Sequence, residues 1–293
     1  MQIPRSCRAL LGVLALAAGC LGAARAEAEP AMWVVKDADS TVYLLGTIHV
    51  LKPGTEWRSD KLQSALQGSD EFWMEADVEA DKAVAQTYAL NFGMDTRHSL
   101  AETVGEKNYA RLVEVAKRYG IPTERLPQMR PWLATLALLR AQMMGVGYDP
   151  ELGVDRSLER EAMAAGKPVK TFETAEQQLG VLADLPDKVA AEMLIQTLDE
   201  LDAGIKLLDA LAAAWLAGDT KQIRQTAVDR MREEAPEVYD AIIVQRNNRW
   251  VKQIQAMLKG AGTQFIAVGA AHLVGKESVP EQLARLGFKV ARY

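Results

Sequence analysis

The chain has 293 residues, of which 49% are hydrophobic and 25% are charged, and its formal net charge is −5. This length and composition are typical of a globular protein with one or two domains. The acidic excess, with no basic stripe in the sequence, argues against a nucleic acid as the partner. Both cysteines, Cys7 and Cys20, lie near the amino terminus. The rest of the chain therefore offers neither a disulfide nor a thiolate ligand.

The amino-terminal segment has the pattern of a secretory signal peptide. Two arginines precede an apolar stretch at residues 9–24, and an Ala-Arg-Ala cleavage site overlaps its end. We predict a signal peptide at residues 1–26 and an exported, periplasmic protein at residues 27–293. Removing the three arginines of the signal peptide lowers the 34 basic residues to 31, against 39 acidic residues, a formal charge of −8. A lipoprotein anchored through Cys20 is the alternative. After signal cleavage, no apolar run in the sequence is long enough to span a bilayer.

The motif Gly-x-x-His occurs twice, as Gly46 to His49 and as Gly269 to His272, each time after a short apolar run. The apolar runs predict buried strands, and a glycine lets backbone or ligand approach closely. In open α/β sheets ligands bind at the carboxyl ends of strands, so we expect both imidazoles at one edge of a sheet. The alternative is that both are satisfied structural residues. The third histidine, His98, lies in a polar loop and is predicted to be a surface or capping residue.

Several carboxylates follow predicted strands or loops in a similar way. Glu75 and Asp77 come directly after a bulky apolar run, and Glu173 follows a strand predicted at residues 167–172. A carboxylate in such a position is costly to bury unless it is paired or binds a cation. Asp155 follows a loop with two glycines and begins a predicted helix, where it is either a site residue or only an N-cap.

Most of the chain between the two motifs is predicted to be helical. Apolar residues recur at intervals of three and four over residues 187–218 and again over 236–258, which indicates amphipathic helices that pack against a core. Arg246 falls on the apolar stripe of the second helix. An arginine on a packing face needs a carboxylate or an anionic ligand to offset its desolvation. Arg246 is therefore either a site residue or part of a structural ion pair. We predict a largely helical insertion at roughly residues 79–259.

Taken in order, these motifs resemble the TraB/GumN family, in particular its GumN branch; the family also includes the animal Tiki proteins. The similarity runs from about Met32 to Tyr293. The positions that carry it are Gly46-Thr47-Ile48-His49, Glu75, residues 147–155, Arg246-Asn247 with Trp250, and Gly269-Ala270-Ala271-His272. The resemblance implies an α/β core with helical additions, related to erythromycin-esterase-like and ChaN-like proteins. Tiki proteins are described as divalent-metal-dependent proteases, whereas GumN-branch proteins are mostly of unassigned activity.

We predict an α/β fold with a central β-sheet flanked by helices and a large helical insertion. The main hypothesis is a metal-dependent hydrolase acting on a peptide or an ester, with His49, Glu75 and His272 as ligands of manganese, cobalt or zinc. The histidines could instead carry protons, and Glu75 could be the general base that activates a water. Arg246 would stabilise an oxyanion or orient the substrate. Residues expected to bind substrate or to support these groups are Gly46, Asp77, Asp155, Glu173 and Gly269.

Two other functions are compatible with the same residues. An esterase could use a histidine base without a metal ion. A protein that performs no chemistry could bind haem or another tetrapyrrole through the two histidines, or sequester a peptide signal, as the related proteins suggest. The sequence leaves the substrate, the metal and the oligomeric state open. We expect substitutions at the site to leave folding mostly intact, and Glu75→Gln to stabilise the metal-free protein slightly, because carboxylates that converge on an empty site repel one another.

Overall fold

The computed structural model describes residues 28–77 and 82–293 of the chain. The predicted signal peptide, with Cys7 and Cys20, lies outside the described residues. Within the two described ranges, no helix is both long and apolar enough to cross a membrane. The predicted α/β fold is confirmed, because the chain forms one six-stranded sheet with helices packed on both of its faces.

The six strands have the spatial order β4-β3-β5-β2-β1-β6. Their bounds are Met32–Lys36 (β1), Ser40–Thr47 (β2), Glu71–Met74 (β3), Val169–Thr171 (β4), Gly262–Gly269 (β5) and Val290–Arg292 (β6). The four strands from β4 to β2 are parallel, and β1 is antiparallel to both of its neighbours. β2 and β5 carry the two Gly-x-x-His motifs and pair along their whole length, from Ser40 opposite Gly262 to Thr47 opposite Gly269. The expected meeting of the first and last motifs is therefore confirmed.

Helices account for most of the remaining chain. Their bounds are Asp60–Gln67 (α1), Lys82–Phe92 (α2), Leu100–Val104 (α3), Glu106–Arg118 (α4), Pro131–Gly145 (α5), Val154–Ala164 (α6), Ala175–Ala183 (α7), Asp187–Asp199 (α8), Leu201–Leu216 (α9), Thr220–Ile223 (α10), Arg230–Glu234 (α11), Pro236–Tyr239 (α12), Gln245–Leu258 (α13) and Val279–Arg285 (α14). Two of them begin where the sequence predicts, because the Ser59 and Ser99 hydroxyls accept N-cap hydrogen bonds from Leu62 and Glu102.

The helices cover both faces of the sheet. On one face, α1, α6 and α9 pack against a core that includes Leu45 and Ala267. On the other face, α13 and α14 pack against Leu44 and Ile266, the neighbours of those residues along β2 and β5. Successive side chains of a strand point to opposite faces, so both faces of these buried parallel strands are apolar. Helices α3, α4, α5 and α8 form a further core of their own, which is the bulk of the helical insertion.

One detail differs from the sequence-based expectation. The helix predicted over residues 187–218 is two helices, because the backbone leaves the helical conformation at Glu200 (φ −102°, ψ 12°), whose carboxylate is paired with Arg230. The apolar spacing continues across this single-residue break, so periodicity does not reveal it. The strand predicted at residues 167–172, within the largely helical region, is confirmed as β4, which extends the sheet beside β3.

Candidate active site

Glu75 lies at the centre of the site, directly after β3. One carboxylate oxygen, Oε1, accepts a hydrogen bond from the backbone N–H of Gly269 at 2.7 Å. The other, Oε2, accepts from Arg246 Nη2 at 2.6 Å and from Gln178 Nε2 at 3.1 Å. Burial alone would raise the pKa of Glu75, but Arg246, followed by the two histidines, holds it well below its ordinary value. Glu75 is therefore an ionised carboxylate that three separate segments of the chain fix in place.

The two motif histidines converge on Glu75. His49 Nε2 lies 3.9 Å and His272 Nε2 3.8 Å from the same carboxylate oxygen, Oε1. Their surroundings differ, because 57% of the His49 side chain is exposed and only 5% of that of His272. Gly269 makes this convergence possible, since a Cβ at that position would lie 3.1 Å from Glu75 Oε1 and 3.3 Å from His49 Nε2. The glycine of the second motif therefore leaves the space in which these polar atoms meet.

Asp155 fixes the orientation of His49. The first turn of α6 lies against the end of β2, where Val154 N–H donates to the Ile48 carbonyl at 3.0 Å. Asp155 Oδ2 then lies 3.1 Å from His49 Nδ1. The Asp155 carboxylate raises the pKa of His49 to about 9, and partial burial of the ring opposes this shift. Because Nδ1–H donates to Asp155, Nε2 is the atom that takes up and releases the proton. Asp155 therefore does more than cap a helix, and Gly153 is the N-cap residue of α6.

Asn247 determines the tautomer of His272. The Asn247 side-chain amide donates from Nδ2 to two carbonyls, those of His272 at 3.3 Å and Glu277 at 2.8 Å. Its oxygen, Oδ1, consequently faces His272 Nδ1 at 2.7 Å and accepts the Nδ1–H hydrogen bond. The free lone pair on His272 Nε2 then accepts from Arg246 Nη1 at 3.2 Å. Burial lowers the pKa of His272 to about 3 despite the nearby Glu75, and Arg246 contributes to the lowering. His272 is a neutral acceptor.

Arg246 is a buried cation between two carboxylates. Its guanidinium pairs with Glu75 at 2.6 Å and with Glu173 at 2.9 Å. Glu173 also accepts hydrogen bonds from Arg249 and from the Trp250 indole N–H, at 3.0 and 3.1 Å. The face of Trp250 covers the guanidinium at 4.7 Å, a cation–π contact. The expectation that an arginine on this packing face requires a carboxylate is confirmed, and two carboxylates meet the requirement.

A π-helical segment, Asp240–Val244, leads directly into α13. Such a segment widens one helical turn by an extra residue and shifts the helical faces that come after it. After this shift Arg246, Trp250 and Ile254 are all buried against the sheet. The helix predicted over residues 236–258 is therefore continuous, but the π turn sets which of its side chains reach the site.

The remaining candidate residues have supporting positions. Gly46 allows close packing between the two motifs, because a Cβ there would lie 3.1 Å from the Ala270 Cα. Asp77 lies 3.8 Å from Arg156 of α6, which is also paired with the buried Glu159 at 2.8 Å. The site thus brings together the residues of both motifs with Glu75, Asp155, Glu173 and Arg246, and Asp77 lies beside it in an ion pair with Arg156.

A metal ion held by His49, Glu75 and His272 does not fit this arrangement. The His272 Nε2 lone pair, which would have to bind the metal, accepts a hydrogen bond from Arg246. Arg246 also places a permanent positive charge 2.6 Å from Glu75 Oε2. Among the residues in the described ranges, no group of three or more His, Cys, Asp or Glu side chains is arranged to hold a metal ion. The metal centre stays a prediction from the sequence and the resemblance.

A cleft of about 370 Å³ gives access to the centre. Its polar floor includes His49, Glu75 and Arg246, and an apolar wall comes from helices α5 and α7. A larger groove of about 960 Å³ lies along the opposite side of α7, and neither motif histidine lines it. The smaller cleft is therefore the candidate substrate site, because only there do the polar groups converge.

This fold and centre define an α/β protein whose buried Glu–Arg–His cluster lies at the carboxyl edge of a parallel sheet. The family model described as "TraB/PrgY/gumN family" matches residues 31–292, and the chain belongs to that family. The uncharacterized protein YbaP of Escherichia coli (strain K12) is 28% identical over 254 residues, which cover 87% of this chain and 92% of that protein. YbaP of Shigella flexneri has the same identity and coverage. An uncharacterized protein of Treponema pallidum (strain Nichols) is 22% identical over 287 residues, covering 90% of this chain and 83% of that protein.

Proposed function

We propose that the protein is a hydrolase that cleaves a peptide or ester bond in the cleft beside His49. The observation that carries this proposal is the pairing of His49 with Asp155 at 3.1 Å, which leaves Nε2 facing an open cleft 3.9 Å from an ionised carboxylate. A carboxylate that holds an imidazole by Nδ1, with Nε2 free toward substrate, is the arrangement of a general base. The amino-terminal pattern supports the further proposal that the protein acts after export.

The proposed reaction begins with a water molecule between His49 and Glu75. At a separation of 3.9 Å, His49 Nε2 and Glu75 Oε1 can both hydrogen-bond to one water. Neutral His49 takes a proton from this water while the water oxygen bonds to the substrate carbonyl carbon. The imidazolium, stabilised by Asp155, then gives the proton to the leaving nitrogen or oxygen as its bond to carbon breaks. No metal ion, nucleophilic serine or cysteine is needed for this sequence of steps.

Arg246 supplies the positive charge that this reaction requires. It lies at the floor of the cleft and is buried, so its charge is poorly screened by water. Negative charge that develops on the carbonyl oxygen would be stabilised by this fixed cation. The ion pairs with Glu75 and Glu173 hold the guanidinium in one position before substrate arrives. Arg246 thus acts mainly as a preorganised charge, and Glu173 acts through Arg246.

The apolar wall of the cleft favours an apolar group next to the cleaved bond. Leu136 of α5 and Leu179 and Leu182 of α7 line this wall, and all three are half-buried. Burying an apolar side chain or acyl group against them would supply binding free energy at about 25 cal/mol per Å². The haem-binding alternative has less support, because both ring nitrogens of His272 already have hydrogen-bond partners within the protein.

The test is hydrolysis of a panel of peptides and p-nitrophenyl esters by the purified protein, with and without EDTA and with added manganese, cobalt or zinc. We expect activity that survives EDTA and is abolished in His49→Ala. His98→Ala is the matched control, because His98 is an exposed histidine paired only with a nearby aspartate, Asp95, at 3.3 Å. Activity lost with EDTA and restored by one metal would overturn the metal-free mechanism, and no activity under any condition would overturn the hydrolase.

A further inference from the structure

Two oxygens beside the catalytic centre have no hydrogen-bond partner. Among the residues that the structure describes, three buried side-chain oxygens lack one: Thr47 Oγ1, Asp155 Oδ1 and Gln264 Oε1. The first two belong to the site, since Thr47 is part of the first Gly-x-x-His motif and Asp155 holds His49. Thr47 is 2% exposed. A buried hydroxyl or carboxylate oxygen without a partner is costly, and this cost calls for a specific explanation.

The Thr47 side chain points toward the catalytic centre. Thr47 is paired with Gly269 in the parallel register of β2 and β5, and side chains paired in this way point to the same face of the sheet. The Cβ position of Gly269 lies 3.3 Å from His49 Nε2. Thr47 therefore lies on the face of the sheet on which Glu75, His49 and His272 meet beside Gly269.

Asp155 Oδ1 is the second unpartnered oxygen at the site. The other oxygen of this carboxylate, Oδ2, receives the His49 hydrogen bond, so Oδ1 faces away from the imidazole nitrogen. Asp155 belongs to the first turn of α6, which is tied to the end of β2 by the hydrogen bond from Val154 to Ile48 at 3.0 Å. Thr47 and Asp155 therefore both adjoin residues 48 and 49, Thr47 along the chain and Asp155 through these hydrogen bonds. They form no direct hydrogen bond, and one water with polar partners on both sides would satisfy both oxygens.

We infer that Thr47 is a positioning residue of the His49–Asp155 pair and that it acts through a buried water bound between Thr47 Oγ1 and Asp155 Oδ1. The water donates one hydrogen to Oδ1 and exchanges a second hydrogen bond with the hydroxyl, so the carboxylate cannot rotate away from the imidazole. In this role Thr47 affects the reaction only through Asp155 and His49. The kinetic consequence of this inference rests on the proposed hydrolase, but the water itself does not.

The structural test is a set of crystal structures of the wild type, Thr47→Val and Thr47→Ser. Valine has the shape of threonine without the hydroxyl, and serine keeps the hydroxyl. We expect density for a water in contact with both oxygens in the wild type and in Thr47→Ser, and no such water in Thr47→Val. A wild-type structure in which no water contacts both atoms overturns the inference, whether or not any hydrolytic activity is found.

A second readout monitors the imidazole directly. The chain has only three histidines, so His49→Ala and His98→Ala suffice to assign their NMR signals. If the water holds Asp155 in place, the pKa of His49 falls toward its ordinary value in Thr47→Val and stays near the wild-type value in Thr47→Ser. Once a substrate is known, we expect kcat to be about tenfold to a hundredfold lower in Thr47→Val, which is the effect of losing a hydrogen bond to a charged group. In Thr47→Ser we expect kcat to return to the wild-type value. Equal His49 pKa values in all three proteins would overturn the positioning role of Thr47. Thr47→Ala replaces Thr47→Val if the valine variant does not fold.

Discussion

Arg246 Nη2 lies 2.6 Å from Glu75 Oε2, and the two side chains are 6% and 7% exposed. This ion pair reverses an expectation drawn from the sequence, namely that Glu75 would meet other carboxylates in an empty site and that Glu75→Gln would be stabilising. In the structure the nearest charge is the almost fully buried cation of Arg246. Removing one partner of such a pair leaves the other charge buried and uncompensated.

We therefore expect Glu75→Gln to lower the free energy of unfolding by about 3–5 kcal/mol. Urea or thermal unfolding measures the change. Glu71→Gln on the same strand is the control, because its ion pair with Lys170, at 2.6 Å, is partly exposed, with side chains 26% and 45% accessible. Such a pair contributes about 1 kcal/mol or less. If the two variants unfold alike, the Glu75–Arg246 pair does not stabilise the protein.

Because of the Glu75–Arg246 ion pair, the free energy of unfolding should decrease as the pH falls. The pKa of Glu75 is lowered in the folded protein, so the stabilisation due to its charge is complete above the unfolded value of about 4.3. It is lost progressively as the pH falls below that value. The difference in stability between wild type and Glu75→Gln should accordingly shrink as the pH is lowered from 6 to 3. A difference that stays constant over this range would contradict the lowered pKa.

Asp155→Asn should change the pH profile of activity. In the proposed mechanism the active form is neutral His49, so we expect kcat/KM of the wild type to rise with pH as His49 loses its proton near pH 9. Without the Asp155 charge the pKa moves down toward about 6.5, and the rising limb moves with it. The maximal kcat should also fall by roughly a hundredfold or more, because an amide can hold the wrong tautomer. If the rising limb of kcat/KM lies at the same pH in Asp155→Asn as in the wild type, His49 is not the base.

His272 should stay neutral where His49 is charged. Burial lowers the pKa of His272 to about 3, and Asn247 accepts from its Nδ1–H. We expect ¹⁵N NMR to show the neutral Nδ1–H form of His272 from pH 8 to pH 5, while His49 in the same spectra is largely protonated. In Asn247→Asp the added carboxylate should raise the His272 pKa. Protonation of wild-type His272 within this range would contradict the buried Arg246–His272 contact.

The two motif histidines should differ in their effect on stability. His49→Ala should change it little, because the ring is 57% exposed. His272→Ala should destabilise the fold by about 1–3 kcal/mol, because it leaves buried hydrogen-bond partners unpaired. The sequence alone predicts that both substitutions leave folding mostly intact, and the burial of His272 changes that expectation for one of them. Leu201→Ala, a buried core change in α9, should cost about 2–5 kcal/mol and serves as the reference in thermal melts. A His49→Ala protein that melts as early as Leu201→Ala would make His49 structural.

Leu179 should select the substrate group beside the cleaved bond. Replacing it by asparagine puts a polar side chain into the apolar wall of the cleft, so kcat/KM for apolar substrates should fall about tenfold or more relative to polar ones. Leu286→Asn is the control, because Leu286 is also a leucine, is 53% exposed and does not line the cleft. The measurement is a ratio of kcat/KM values for two matched esters. An equal loss for both esters would place Leu179 outside the substrate site.

The sequence predicted the parts of this site that local pattern and chemistry determine. Two apolar runs that each end in Gly-x-x-His had to be strands, and the strands of a parallel sheet bring the residues after their carboxyl ends to one edge. The buried position of Arg246 required an anion, but nothing local could identify Glu75 and Glu173 as its partners. Which carboxylates pair with Arg246 depends on how α13 packs on the sheet.

Other contacts left no sequence signal. Gln178 reaches Glu75 from α7, and its spacing does not distinguish it from the neighbouring Gln177. Asn247 was part of the family resemblance, but its role depends on the position of the carbonyls that accept hydrogen bonds from its amide. The π turn before Arg246 and the helix break at Glu200 each involve a few residues, and apolar periodicity averages over longer windows.

The position of β5 between β3 and β2 has a consequence for the assembly of the sheet during synthesis. Glu75 follows β3 and His49 follows β2, but these two strands do not pair with each other, because β5 lies between them and pairs with both. Because β5 begins at Gly262, a ribosome has made about nine-tenths of the chain before the strand that joins the two halves exists. A nascent or carboxyl-truncated polypeptide that ends before β5 therefore lacks the strand that places Glu75 and His49 at one edge of the sheet. The proposed hydrolysis accordingly requires that β5 has been synthesised and has joined the sheet.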